Sequence, residues 1–324
     1  MHKMRLLPTA IGVVIFAPTL AAAAAASEPE LLRPQSIQLA AACAEQPTPK
    51  CLLADAQVAA MLIRDNRLAL PNLAFVGYFQ SLTGDRDAAL DTLRVGDLRL
   101  IGAGPELLSN YHAAVAGVWV VLKDEAKAKA AIDLALQHLE AADEYGRVLA
   151  LADVGYAQAL LGDRVAASDS YARAIELAHQ PGGDPFQLVY TGWNQAFSGD
   201  GKAASATIRT ALDALDALPD PDVWLAPWTL GYAAVAQAVT KDGAAAATRE
   251  RLQQLLAASP DATGNIEASM MLAWSYALGG DRERAESIVR QYLPRAYRAA
   301  DSNTKVIGLG YAALVLAPDA KVTP

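Results

Sequence analysis

An aspartate recurs along the chain at a nearly fixed interval: Asp85, Asp124, Asp163, Asp200, Asp242 and Asp281, in steps of 39, 39, 37, 42 and 39 residues. Four residues after each stands an alanine (Ala89, Ala128, Ala167, Ala204, Ala246, Ala285). Eight before each stands a glycine or alanine (Gly77, Ala116, Gly155, Gly192, Ala234, Ala273). Self-similarity at such a period marks stacked structural units, each too small to bury its own apolar face alone. Architectures of this kind offer extended concave surfaces, which suit binding better than catalysis.

The units read as helices. Apolar residues recur at spacings of three and four, and no alternating strand pattern of useful length interrupts them. The recurring aspartate marks the corner between two helices. In four of six units a glycine precedes it: Gly84, Gly162, Gly199 and Gly280. Glycine ends a helix in the left-handed conformation, and the aspartate then caps the next helix by accepting from its orphan N–H groups. Two helices joined so tightly run antiparallel. The small residue eight before the corner and the alanine four after it let their backbones approach. Pro- and Gly-rich stretches at 181–185, 219–222 and 259–261 separate successive units.

The third unit carries Val154-Gly155-Tyr156, Gly162-Asp163, Ala167, Tyr171 and Ala174; the fourth repeats it with Gly192, Gly199-Asp200, Ala204, Ile208 and Ala211. The first and sixth follow with Gly77-Tyr78, Ala89, Leu93 and Ala273, Ala285, Val289. This pattern resembles the tetratricopeptide repeat, in a variant with longer loops; a second family of helical hairpins with slightly longer units is the alternative. The resemblance implies an all-α, right-handed solenoid of about six hairpins over residues 66–318. A last helix at 306–316 would cap the final apolar face, and 319–324 would form a tail. The pattern departs at Lys123 and Lys241, which replace the corner glycine. It departs again at Glu250, which stands where a large apolar residue is expected and signals a shifted register in the fifth unit.

The N-terminus differs from the rest. Residues 1–26 have a basic start (His2, Lys3, Arg5), an apolar run broken by Pro8 and Pro18, and a small-residue stretch, the layout of a secretory signal peptide. Its removal takes two bases and no acid, moving the formal charge from −8 to −10. So acidic a chain lacks the basic footprint of a nucleic-acid binder and is poorly suited to anionic lipid. Stable membrane insertion after signal removal is not expected. Residues 27–65 are expected to form an N-terminal helical cap, with a short helix near 34–43. In an oxidising compartment Cys43 and Cys51 read as a disulfide across the turn-forming segment between them. The expected location is the periplasm, or secretion from a bacterial cell envelope.

The repeat resemblance implies that the first helix of each unit lines a concave groove. On that face, seven residues before the corner, stand Tyr78, Gly117, Tyr156, Trp193, Val235 and Trp274; Phe186 and Trp228 stand fourteen before theirs. Aromatic residues make up 6% of the chain, so four in six positions is a concentration. Tyr78, Tyr156, Trp193, Trp228 and Trp274 are thus the candidate partner-binding residues, since large aromatics anchor many interfaces. The same pattern also fits packing between adjacent units. No catalytic constellation is present: His112, His138 and His179 have no paired-ligand spacing, and no G-x-S-x-G elbow occurs. The sequence therefore points to a non-catalytic scaffold that needs no metal or cofactor and binds a protein or peptide on its concave face. A self-associating envelope component and a small-ligand receptor or enzyme with a pocket inside the superhelix are the alternatives.

Overall fold

The structure, a computed structural model, describes residues 42–180, 183–219, 225–258 and 265–317. The expected signal peptide, most of the helix expected at 34–43 and the tail lie outside the described residues. The chain divides into two compact units, Met1–Gln38 and Leu39–Pro324, and every described residue belongs to the second.

From Pro49 onward the described chain is a succession of helices: α1 (Pro49–Leu62), α2 (Asn66–Leu82), α3 (Arg86–Leu100), α4 (Pro105–Val121), α5 (Glu125–Gln137), α6 (Glu144–Leu160), α7 (Arg164–Ala178), α8 (Pro185–Phe197), α9 (Gly201–Ala217), α10 (Leu225–Thr240), α11 (Ala245–Ala258), α12 (Asn265–Leu278), α13 (Arg282–Arg298) and α14 (Ser302–Leu316). A 3-10 turn at Leu139–Ala141 follows α5. A Cys43–Cys51 disulfide joins the segment before α1 to its first turn, where Thr48 caps the helix through a bond from the Cys51 N–H.

All six corners close in the same way. The N–H of each corner aspartate donates to the carbonyl five residues earlier, at 2.8–3.0 Å, and the residue before it donates to the carbonyl three earlier. This paired bonding satisfies carbonyls that a helix C-terminus leaves orphaned, and it requires a left-handed residue. The four glycines supply it with φ of 84–89°; Lys123 and Lys241 adopt it too, at φ 60° and 56°. For a lysine that conformation costs roughly 1–2 kcal/mol, offset by the two bonds it permits. In five units the aspartate carboxylate then accepts from the N–H three residues on.

The fifth unit is the exception, as Glu250 signalled. Asp242 accepts from Ala244, two residues on, and α11 starts at Ala245 instead of directly after the aspartate. Its buried positions therefore fall one residue early: Ala245, Thr248, Leu252 and Leu256 face inward, while Ala246 and Glu250 are exposed. Ala246 is thus not the packing alanine that its spacing implied. Elsewhere the small residues do as expected. Ala89, Ala128, Ala204 and Ala285 have no exposed surface. A Cβ on Gly192 would stand 2.8 Å from Ile208 Cγ1, and one on Gly155 2.8 Å from the Tyr171 ring.

The helices sort into two layers. α2, α4, α6, α8, α10, α12 and α14 each pack against the next in that series, and α14 packs against α2. The row of inner helices therefore closes on itself. Each inner helix has an antiparallel outer partner: α3, α5, α7, α9, α11 and α13 follow theirs in sequence, whereas α14 pairs with α1 from the opposite end of the chain. The last described helix does not cover an open end as a half-unit; with α1 it makes a seventh hairpin. Tyr297 Oη donates to Asp55 Oδ2 at 2.7 Å and Asn72 Nδ2 to Asn303 Oδ1 at 2.8 Å across this seam. Gly310 leaves room there for Phe75 and Phe79, whose rings a Cβ would meet at 2.6 and 3.1 Å. The outer helices bury one stripe, as Ala204, Ile208, Ala211 and Leu215 do in α9. The inner helices are buried almost all round, as in α8.

The register shift gives a direct test. Ala204→Leu should cost about 1–3 kcal/mol by overpacking, while Ala246→Leu, at the same distance from its aspartate, should stay within about 0.5 kcal/mol. Urea unfolding of both variants decides it; equal costs would restore the unshifted register.

Candidate functional site

The inner helices enclose a cavity of about 360 Å³. Its lining comes from successive turns of α2, α4, α6, α8, α10 and α14. Because alternate helices are antiparallel, the inner ones point the same way and gather their N-terminal halves at one end of the lumen. Toward the other end the lumen is plugged. Trp274 of α12 lies 6.2 Å from Phe79 of α2, 5.5 Å from Phe197 of α8 and 5.5 Å from Tyr311 of α14, centroid to centroid. A plug of rings reaching across the lumen means that the inner surface is a blind pocket at this point.

Three turns of each inner helix face inward, at fourteen, ten and seven residues before the corner aspartate. The outermost layer holds Pro71, Asn110, Leu149, Phe186 and Trp228, all lining the cavity; Glu267 holds the same place in α12. The middle layer holds Phe75, Ala114, Asp153, Tyr190 and Tyr232. In α12 this place is taken by Met271, which packs on Gly231 and stays outside the cavity. The innermost layer holds Tyr78, Gly117, Tyr156 and Trp193. Gly117 is small for a reason: a Cβ would meet the Tyr156 ring at 3.1 Å. Its absence lets Tyr156 reach past α4 to Tyr78, with the two hydroxyls 2.6 Å apart.

The five aromatics picked out by spacing separate into two roles. Tyr78, Tyr156, Trp193 and Trp228 line the cavity. Trp274 does not; at 1% exposure it belongs to the plug. The middle layer was missed altogether. Its signal was available, because positions ten before the corner lie on the same helix face as those fourteen and seven before it. Four of six carry an aromatic or an acid.

Asp153 is the one ionisable acid in the lining, which contains no lysine, arginine or histidine among the described residues. Its Oδ1 accepts from Tyr190 Oη at 2.7 Å and Asn194 Nδ2 at 3.3 Å. Burial pushes its carboxyl up to about 7, against the lowering effect of these two bonds. Behind Trp228 a second acid, Glu267, is 1% exposed. Burial pushes it up to about 8, against hydrogen bonds from Thr304 and Trp228. Asn303 links Glu267 to the cavity wall: its Nδ2 donates to Glu267 Oε1 at 3.5 Å and its Oδ1 accepts from Asn72 Nδ2. Asn72 Oδ1 and Asn110 Oδ1 are buried along this wall with no donor among the described residues. Orphaned acceptors beside a cavity are where water or ligand donors are expected.

Comparison with known proteins finds no matching family model, no matching curated protein and no matching solved structure.

The two raised carboxyls set a pH dependence. Each binds its proton more tightly folded than unfolded, where the ordinary values are 3.8 and 4.5. The folded state therefore holds more protons between about pH 4 and 8, and stability falls as pH rises through that window. The melting temperature should drop by several degrees from pH 5 to pH 8. Asp153→Asn combined with Glu267→Gln should flatten the slope; a slope unchanged by both substitutions would contradict the burial account.

Proposed function

We propose that this chain is a small-molecule receptor which holds an organic ligand in the lumen of its helical ring and performs no chemistry on it. The observation that carries the reading is the concentration of aromatic residues: eleven of the chain's 21 line one cavity. Ligand sites are concave, mostly apolar, and carry a few placed polar groups. The lumen has that make-up, with Asp153, Asn72 and Asn110 set among rings. The stacked-repeat resemblance alone favours a peptide laid along an open concave face. The plug around Trp274 and the seam between α14 and α2 weigh toward a compact ligand instead, because an extended chain needs a groove that continues past the pocket. We read the six corner-marked hairpins as diverged tetratricopeptide-like units whose superhelix has closed into a ring.

The same reading places the protein outside the cytoplasm, in a periplasm or secreted. Support comes from the Cys43–Cys51 disulfide, which persists in oxidising compartments, and from the signal-like first 26 residues. Among the described residues no helix is long and apolar enough to cross a membrane.

Titration with N-phenyl-1-naphthylamine, a neutral apolar dye that brightens on leaving water, tests the pocket. The native chain should bind one dye saturably. Ala114→Trp, which places a large ring in the middle layer, should lower that affinity at least 10-fold while the helical signal is retained. Undiminished binding by the filled variant would place the dye elsewhere and remove the lumen as the site.

A further inference from the structure

We infer that the ligand taken by this lumen is an organic cation, a quaternary or protonated amine small enough to sit between the rings and Asp153. The inference deepens the receptor reading and rests on it. Three observations converge. First, the walls are aromatic on several sides. Tyr190, Trp193, Phe186 and Tyr232 form a continuous cluster with centroids 5.3–6.2 Å apart, and Trp228 joins it through Phe186 at 5.7 Å. Ring faces attract a desolvated cation through their quadrupole, and cages of this kind select methylated ammonium groups.

Second, the one carboxylate in the lining is half used. Both hydrogen bonds to Asp153 fall on Oδ1, leaving Oδ2 without a partner among the described residues. A carboxylate in a pocket without a basic side chain is an unbalanced charge, which a cationic ligand completes. A cation brought against Asp153 also favours its ionised form, opposing the effect of burial. Third, the sign of the surroundings excludes the opposite ligand. A phosphate or carboxylate would meet Asp153 and no base. The N-termini of α2, α6, α8 and α14, which attract anions when bare, are already capped by Asp65, Asp143, Asp184 and Asp301, and at the uncapped start of α4 the Glu106 carboxylate folds back against Gly104. Asn72 Oδ1 and Asn110 Oδ1 add two acceptors without a partner among the described residues, which suit the N–H groups of a protonated amine.

The test uses matched pairs of probes on the full chain, followed by the fluorescence of the buried tryptophans. Choline is compared with 3,3-dimethyl-1-butanol, its neutral carbon isostere, benzyltrimethylammonium with neopentylbenzene, and phenethylamine with phenylpropane. At least one cation should bind 10-fold or more tightly than its isostere. Asp153→Asn should weaken that cation by about 10- to 100-fold, the size of a lost charged contact, and its neutral isostere far less. A retained helical signal shows that the variant is folded. If cations and isosteres bind alike, or if neither binds while the dye still does, the cation inference is overturned and the receptor reading stands. If the dye fails as well, the receptor reading falls with it.

Discussion

The contact between α14 and the first two helices is the constraint on which the rest depends. A linear stack of hairpins leaves two unpaired ends and an inner face open to solvent along its length. Here the outermost described helices, α14 and α1, form one hairpin, and the inner face becomes the wall of a blind pocket. Gly310 admits Phe75 and Phe79 at the seam, and Tyr297 and Asn303 bond to Asp55 and Asn72 from more than 230 residues away. Without the seam, Phe79 would not meet Trp274 and Tyr311, and the plug would lose one of its rings.

Enclosure also accounts for the unusual carboxyls. Asp153 sits on a helix face that in an open groove would be hydrated. In the lumen it is surrounded by tyrosines and tryptophans, and burial raises its pKa. Keeping a poorly compensated acid inside a fold works against stability. Such a cost is common where a site is organised for a partner that arrives later. The orphaned oxygens of Asn72 and Asn110 follow the same logic, since they sit on the same wall.

Much of this was legible in the residues. The Gly-Asp corner has one efficient bonding pattern, and all six corners adopt it, even where lysine must take a left-handed conformation. Glu250 announced the shifted fifth unit, because a charged side chain cannot occupy the stripe that Leu93 or Ile208 fills. Ring closure was not legible. It depends on how much each unit turns relative to the last, a quantity set by side-chain volumes at every interface and not by any single motif. The site was half legible for the same reason. Spacing identified the layer of Tyr78, Tyr156 and Trp193, but Trp274 holds the same position and lies in the plug. Asp153 stood one turn away on the same face and became conspicuous only once the lumen had closed around it.

The most direct test of the account is native-state hydrogen exchange resolved by helix. In an open stack, stability is set by nearest neighbours and the terminal units fray first. A closed ring has no terminal unit. The account predicts that α1 and α14 exchange with opening free energies equal to those of α6 and α8, and that they open together. A gradient, with α1 and α14 exchanging fastest and independently of each other, would contradict ring closure and with it the enclosed site.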